Sequence, residues 1–226
     1  MAPDSLAESR QAVQAAGVAT VRPPVAVAVD LRVPMAAPLV RQRALEAFGR
    51  IDILVNCAGA TKVGDFLSFD DADWDDGFAL KFSAARRLAA VCWDDLKSSS
   101  GNILNIVGSA GRTPGADYAI GGSVNAAMLA LTKALAARGL QDNVRVNAIN
   151  PGPVRTDRHA RRIAQLMADQ AIDQAQAEAL LRQSFGVTRF GDPEDIAALA
   201  TFVVSERGKL LHGSLLDIDG GLTKTI

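Results

Sequence analysis

Short apolar runs alternate with helical stretches along nearly the whole chain, and this alternation limits the possible folds more than any other feature. The runs are Val25 to Val29, Ile53 to Asn56, Asn102 to Val107, Val144 to Ile149 and Leu215 to Ile218. They are rich in β-branched residues and apolar on both faces, as strands covered on both sides must be. Helices are expected from Asp4-Ser5 to Ala16, Met35 to Phe48, Asp71 to Leu96, around Val124 to Leu135, Arg158 to Gln183 and Pro193 to Val204. Gly17 and Gly49 close the first two, and Pro193 suits the first turn of the last. Strands joined through helices make a parallel sheet with helices on both faces. The expected fold is therefore α/β, a doubly wound parallel sheet, in one domain spanning residues 1–226. Ligands of such sheets sit beyond the carboxyl ends of the strands. Here those ends carry Asp30, Asn56 to Gly59, Val107 to Gly111 and Asn150 to Thr156.

Composition removes several function classes. The chain has 226 residues with 24 basic and 25 acidic side chains, so no basic excess marks a nucleic-acid partner. The apolar runs are short for a bilayer and Met1 is not followed by a signal-peptide core, so no membrane association is expected. Cys57 and Cys92 lack metal-ligand spacing and read as reduced thiols of a cytoplasmic protein. His159 and His212 are too scattered for a metal cluster, and no metal is expected. Tyr118 is the only tyrosine.

Several motifs, in order, resemble the short-chain dehydrogenase/reductase family. They are Asp30-Leu31, Gly49 to Gly59, Trp74, Asn105-Ile106, Gly111, Arg145 to Thr156, Phe190 to Ala197 and Asp217 to Gly221. The resemblance implies a Rossmann-type sheet, NAD or NADP as cofactor, and a small carbonyl, alcohol or acyl substrate. It also implies a homodimer or homotetramer. Two departures accompany it. The family's first strand, Gly-rich turn, helix and second strand have no counterpart before Ser5, so the sheet is expected to be truncated at its N-terminus. That turn presents oriented N–H groups to a pyrophosphate, and weak dinucleotide binding is the physical consequence. The departure leaves two further readings open: a non-catalytic subunit acting structurally in an oligomer, or a true start upstream of Met1.

The second departure concerns the catalytic set. In register with Asn105 and Thr132, the family's Ser, Tyr and Lys positions fall on Gly108, Gly121 and Asn125, and its helix Asn falls on Lys81. A divergent branch of the family has a similar layout, with an early Tyr before a Gly/Ser-rich turn. Tyr118 is then the candidate proton donor, because a phenol can protonate the alkoxide left by hydride addition. Lys81 is its candidate cationic partner, and Ser109 a candidate oxyanion donor. The plainer alternatives are a solvated lysine, a surface tyrosine and a turn hydroxyl. Asn125 suits a ribose hydroxyl or a helix contact. Asp30 and Leu31 resemble the adenine-contacting pair, or Asp30 caps the next helix. Asn56, Ala58 and Gly59 resemble the segment beneath the adenosine ribose. Pro151, Gly152, Val154 and Thr156 resemble the segment flanking the nicotinamide. Arg158, Arg161 and Arg162 form either an anion-binding lid or a solvated helix face.

Overall fold

A computed structural model of the chain describes Gln11 and residues 23–224. The helix expected between Asp4 and Ala16 lies outside the described residues except for Gln11, which is helical. Four parallel strands form the sheet in the order β1 (Ile53–Asn56), β2 (Asn102–Ile106), β3 (Arg145–Pro151) and β4 (Leu215–Ile218). The register sets Asn56 beside Asn105, and Pro151 beside Ile218, so all four carboxyl ends point the same way.

Helices cover both faces. They are α1 (Ala36–Phe48), α2 (Asp71–Phe78), α3 (Ala84–Ser99), α4 (Ala119–Asp142), α5 (Asp157–Gln170), α6 (Gln174–Phe185) and α7 (Pro193–Val204). The period-two alternation of the strands divides the core. Ile103 and Val146 turn toward α3 and α4, where Leu96 and Ala136 meet them. Leu104 and Ile149 turn to the other face, against Val203 of α7. Helix α4 is long and apolar enough to cross a bilayer by composition, but half of that stretch is buried inside the protein. Asp142, at its end, accepts from Trp93 Nε1, Lys97 Nζ and Arg138 Nε at 2.8–2.9 Å, which ties α4 to α3. A third apolar cluster, Ile163, Ala177, Leu181, Val187 and Phe190, holds α5 and α6 together.

The structure corrects three expectations. Val25 to Val29 is not a strand: it pairs with no other segment among the described residues. A strand exists only through its neighbour's hydrogen bonds, and among the described residues β1 pairs along one edge only, with β2. Ile53 and Val55 are consequently 44% and 49% exposed. The single helix expected over Arg158 to Gln183 is two, because Ala171 takes a left-handed φ of 53° and Asp173 starts α6 with a capping box to Gln176. The helix from Asp71 onward is continuous but contains a π-helical turn over Ala79–Ser83, between α2 and α3. Such turns insert a residue into the helical repeat and redirect its side chains. Lys81 lies at the middle of this one.

Candidate active site

The carboxyl ends of β1, β2 and β3 meet over a line of buried amides. Asn56 Nδ2 donates to Asn105 Oδ1 at 2.8 Å, and Asn105 Nδ2 donates to Thr132 Oγ1 at 2.9 Å. Thr132 Oγ1 in turn donates to the Met128 carbonyl, so the line is anchored in α4. Asn56 Oδ1 is buried with no partner among the described residues. It borders a cavity of about 60 Å³ whose lining also includes Leu31, Ala58 and Lys81. That volume suits water or one protruding ligand group, far less than the several hundred Å³ of a complete ligand site.

Lys81 reaches this cavity from the π turn. Its stem passes over Gly59, where a Cβ would stand 3.0 Å from Lys81 Cδ. The bare backbone of Gly59 thus makes room for Lys81. Lys81 Nζ donates to the Val107 carbonyl at the end of β2. Burial strips water from the ammonium and lowers its pKa to about 8; the Cys57 thiol opposes the shift, and the Arg158 charge adds to it.

Tyr118 caps the start of α4 with φ −130°. Its ring lies on Gly121: a Cβ there would be 2.1 Å from Tyr118 Cζ and 2.3 Å from Cε1. The phenol therefore fills the space that a side chain at position 121 would enter. Thr61 Oγ1 donates to Tyr118 Oη at 2.8 Å. The Arg158 guanidinium carbon stands 5.5 Å from the ring centroid, within cation–π range. Lys81 and Tyr118 do not touch through their polar atoms. The ammonium is held by Val107 and the phenol by Thr61, and the Arg158 charge acts on Lys81 as well as standing over the Tyr118 ring.

Asn125 lies farther along the same face of α4, 4% exposed, with its Nδ2 3.0 Å from where a Cβ on Gly108 would stand. It is neither a helix cap nor a contact between helices, because it faces the bare backbone at the end of β2. Ser109 is buried at the start of a 3₁₀ turn over Ser109–Gly111, and its carbonyl accepts from Arg112 and Thr113. The hydroxyl makes no hydrogen bond among the described residues. Asp30 does not cap the next helix, whose N-cap is Met35. Instead, its carboxylate accepts from the Arg32 N–H at 3.0 Å, closing an Asx turn, and Arg32 bridges onward to Asp76 at 2.6 Å. That leaves the Asp30 carboxylate half-exposed and engaged with a cation.

The Pro151–Thr156 segment is fastened on one side. Pro151 pairs with Ile218, the Gly152 N–H donates to the Ile218 carbonyl, and Val154 bridges to Gly191. A Cβ on Gly152 would meet Asp219 Cα at 2.7 Å, so close approach to β4's exit requires glycine there. Thr156 is the N-cap of α5, but its hydroxyl makes no capping bond. It opens onto a cleft of about 450 Å³ between α5 and α6, lined also by Arg155, His159, Met167 and Glu178. Neither Thr61 nor the stacking of Arg158 has a signature in residue spacing. A lone threonine carries no motif, and a guanidinium on a helix reads as solvated until the facing ring is known.

A family model described as enoyl-(acyl carrier protein) reductase matches residues 4–223. The chain belongs to the short-chain dehydrogenase/reductase family. It is 37% identical over 199 residues to an uncharacterised oxidoreductase of Mycobacterium tuberculosis, covering 87% of this chain and 72% of that protein. It is 30% identical over 182 residues to the NADPH-dependent reductase BacG of Bacillus subtilis, covering 79% of this chain and 69% of that one. The L-sorbose reductase of Gluconobacter frateurii, solved with NADPH and L-sorbose, superimposes with a TM-score of 0.93 at 29% identity. That match covers 100% of this chain and 85% of the other. As a member of this family of oxidoreductases, the protein has its Rossmann-like parallel sheet.

Proposed function

We propose that the chain is a nicotinamide-dependent reductase or dehydrogenase acting on a small carbonyl or alcohol, with Tyr118 as its acid and base. The observation that carries this reading is the ring of Tyr118 lying over the bare backbone of Gly121. The only tyrosine of the chain thereby has its ring beside position 121, the family's proton-donor slot in register with Asn105 and Thr132, which supports the reading.

The residues present suit a dinucleotide in part. Asn56 Oδ1 is a buried acceptor without a partner, and Ala58 and Gly59 leave exposed backbone beside it, which suits a ribose. Gly108, with φ 141°, gives a bare strand end next to the Asn125 amide. The free hydroxyl of Thr156 and the rigid Pro151–Gly152 turn would receive a carboxamide, and Leu31 would supply a wall for adenine. Asp30 contributes through its turn more than through its carboxylate. When bound, the dinucleotide would supply a hydride to a carbonyl carbon or take one from an alcohol; BacG is NADPH-dependent and the L-sorbose reductase was solved with NADPH.

The protein's own part is proton handling and charge. Tyr118 Oη gives its proton to the carbonyl oxygen as negative charge gathers there, and takes the hydroxyl proton in the reverse direction. Thr61 fixes the phenol's rotation. Lys81, held on the Val107 carbonyl, contributes its charge to the rim of the site. The buried Ser109 hydroxyl is a second donor to the same oxygen. Titrating the full chain with NADPH and NADH, and assaying a carbonyl panel, tests the proposal. Saturable binding is expected, with turnover reduced by about 100-fold or more in Tyr118→Phe while cofactor affinity holds. No saturable binding at millimolar cofactor, or full turnover in Tyr118→Phe, refutes it.

A further inference from the structure

We infer that Arg158 makes this an oxo-acid site: its guanidinium, laid over the Tyr118 ring, recognises a carboxylate attached close to the reacting carbonyl. This rests on the reading of Tyr118 as acid and base. Arg158 follows the N-cap of α5 by two residues and is exposed, yet it does not form part of a solvated ion-pair network. Arg155 pairs with Asp192 at 3.2 Å and Arg189 with Asp195 at 2.9 Å, whereas Arg161 and Arg162 of the same helix also lack a carboxylate partner among the described residues, and Arg162 lies over Phe185 rather than Tyr118. Arg158 has no carboxylate partner among the described residues, and its guanidinium lies over the face of Tyr118. Lys81, whose pKa already feels the Arg158 charge, likewise has no acid partner. The guanidinium over the Tyr118 ring thus has no carboxylate partner among the described residues, and its charge also reaches Lys81.

Such an arrangement has a direct chemical reading. The ring face holds the guanidinium in place but leaves its N–H groups unused, since a π face satisfies charge and not hydrogen bonds. A carboxylate presents two oxygens that match the fork of a guanidinium. Because the guanidinium stands over the ring that carries the proton-donating oxygen, the carboxylate and the carbonyl must be close in the substrate. This favours α- and β-oxo acids, or the corresponding hydroxy acids, over long acyl chains with a distant charge. A neutral sugar or ketone would leave the guanidinium over Tyr118 without a counter-charge.

Because Tyr118 is the only tyrosine, protein labelled with carbon-13 at the phenolic carbon of tyrosine gives one resonance that reports this site. Pyruvate and acetoacetate, each alongside its methyl ester, are titrated against wild type, Arg158→Gln and the neighbouring control Arg161→Gln. The acids are expected to shift the resonance saturably and the esters not, with affinity for the acids reduced at least about tenfold in Arg158→Gln only. Turnover with NADPH forms a separate arm, in which wild type prefers acid over ester by at least about tenfold in kcat/KM and Arg158→Gln loses that preference. Equal response to acid and ester, or a preference that survives Arg158→Gln, overturns the inference. Saturable acid binding without turnover of any carbonyl would support it while refuting the proposed chemistry. Turnover of acid and ester alike would do the reverse.

Discussion

Replacing Gly121 by alanine separates the role of the phenol from the stability of the fold. A Cβ at this position would stand 2.1 Å from Tyr118 Cζ, 2.3 Å from Cε1 and 2.5 Å from Cε2, so the ring cannot keep its place. The backbone itself tolerates alanine, because Gly121 lies inside α4 and does not have a left-handed φ. Expelling the ring forfeits the Thr61 hydrogen bond, about 0.5–1.5 kcal/mol net, and the Arg158 contact, about 0.5–1 kcal/mol at an exposed site. Alanine returns about 1 kcal/mol through its better helix propensity. The net cost to stability is then at most about 1.5 kcal/mol, or a shift in Tm of a few degrees for a domain of this size. Catalysis should respond very differently, because a general acid contributes about 10²–10⁴-fold.

Thermal denaturation, turnover and the single tyrosine resonance, measured on the same preparation, check this. The expected outcome is a folded protein, a displaced resonance and a loss of activity comparable to that of Tyr118→Phe. Wild-type activity in Gly121→Ala would refute the placement of the phenol in the reaction. Global unfolding would refute the view that the Tyr118–Gly121 contact serves the site more than the core.

Two further outcomes follow from charge. Lys81 has its pKa lowered to about 8 by burial, whereas the unfolded chain titrates near 10.5. Above pH 8 the unfolded state therefore holds more protons, and stability should rise with pH toward 10.5 by up to about 3 kcal/mol relative to Lys81→Met, measured by urea denaturation; a flat difference would mean that Lys81 is solvated. His159 packs edge-on to Phe190 at 4.4 Å between centroids, with Nε2 buried and unpartnered. Burial lowers its pKa, opposed by Glu178 and aided by Arg155 and Arg162. Its contribution is intact at neutral pH and is lost as pH falls through the ordinary histidine range, so His159→Phe should flatten the acid limb of a Tm-against-pH curve, and an unchanged limb would place the acid lability elsewhere.

The sheet was legible from sequence wherever a run could be buried on both faces. Ile53 to Asn56 and Leu215 to Ile218 are strands over the expected residues, and Gly49 closes α1 with its φ of 76° as expected. Val25 to Val29 has the same composition and is not a strand, because pairing is a property of two segments and composition reports only one. The break at Ala171 was hidden for a related reason. Alanine is the best helix former, and its left-handed φ of 53° is imposed by the packing of α5 on α6 around Ile163, Ala177 and Leu181.

At the site, strand-end positions could be located, but the direction of each side chain could not. Lys81 was placed on the correct helix, yet the π turn that aims it at Val107 leaves no trace in residue spacing. The exchange of positions between Tyr118 and Gly121 is the most readable feature in retrospect. Residues three apart lie on one face of a helix, and although helical side chains lean toward the N-terminus, Tyr118 stands outside the helical backbone at the N-cap with φ −130° and its ring folds forward. A tyrosine at the N-cap can therefore cover the slot three residues later only if that slot has no Cβ. Asn125, four residues beyond Gly121, continues the same face toward Gly108. Tyr118, Gly121 and Asn125 thus form one stripe, and the glycine that looks like a catalytic residue lost is the vacancy that lets the phenol in. By the same geometry, a tyrosine restored at position 121 would clash with Tyr118 rather than add a second acid, so each arrangement excludes the other.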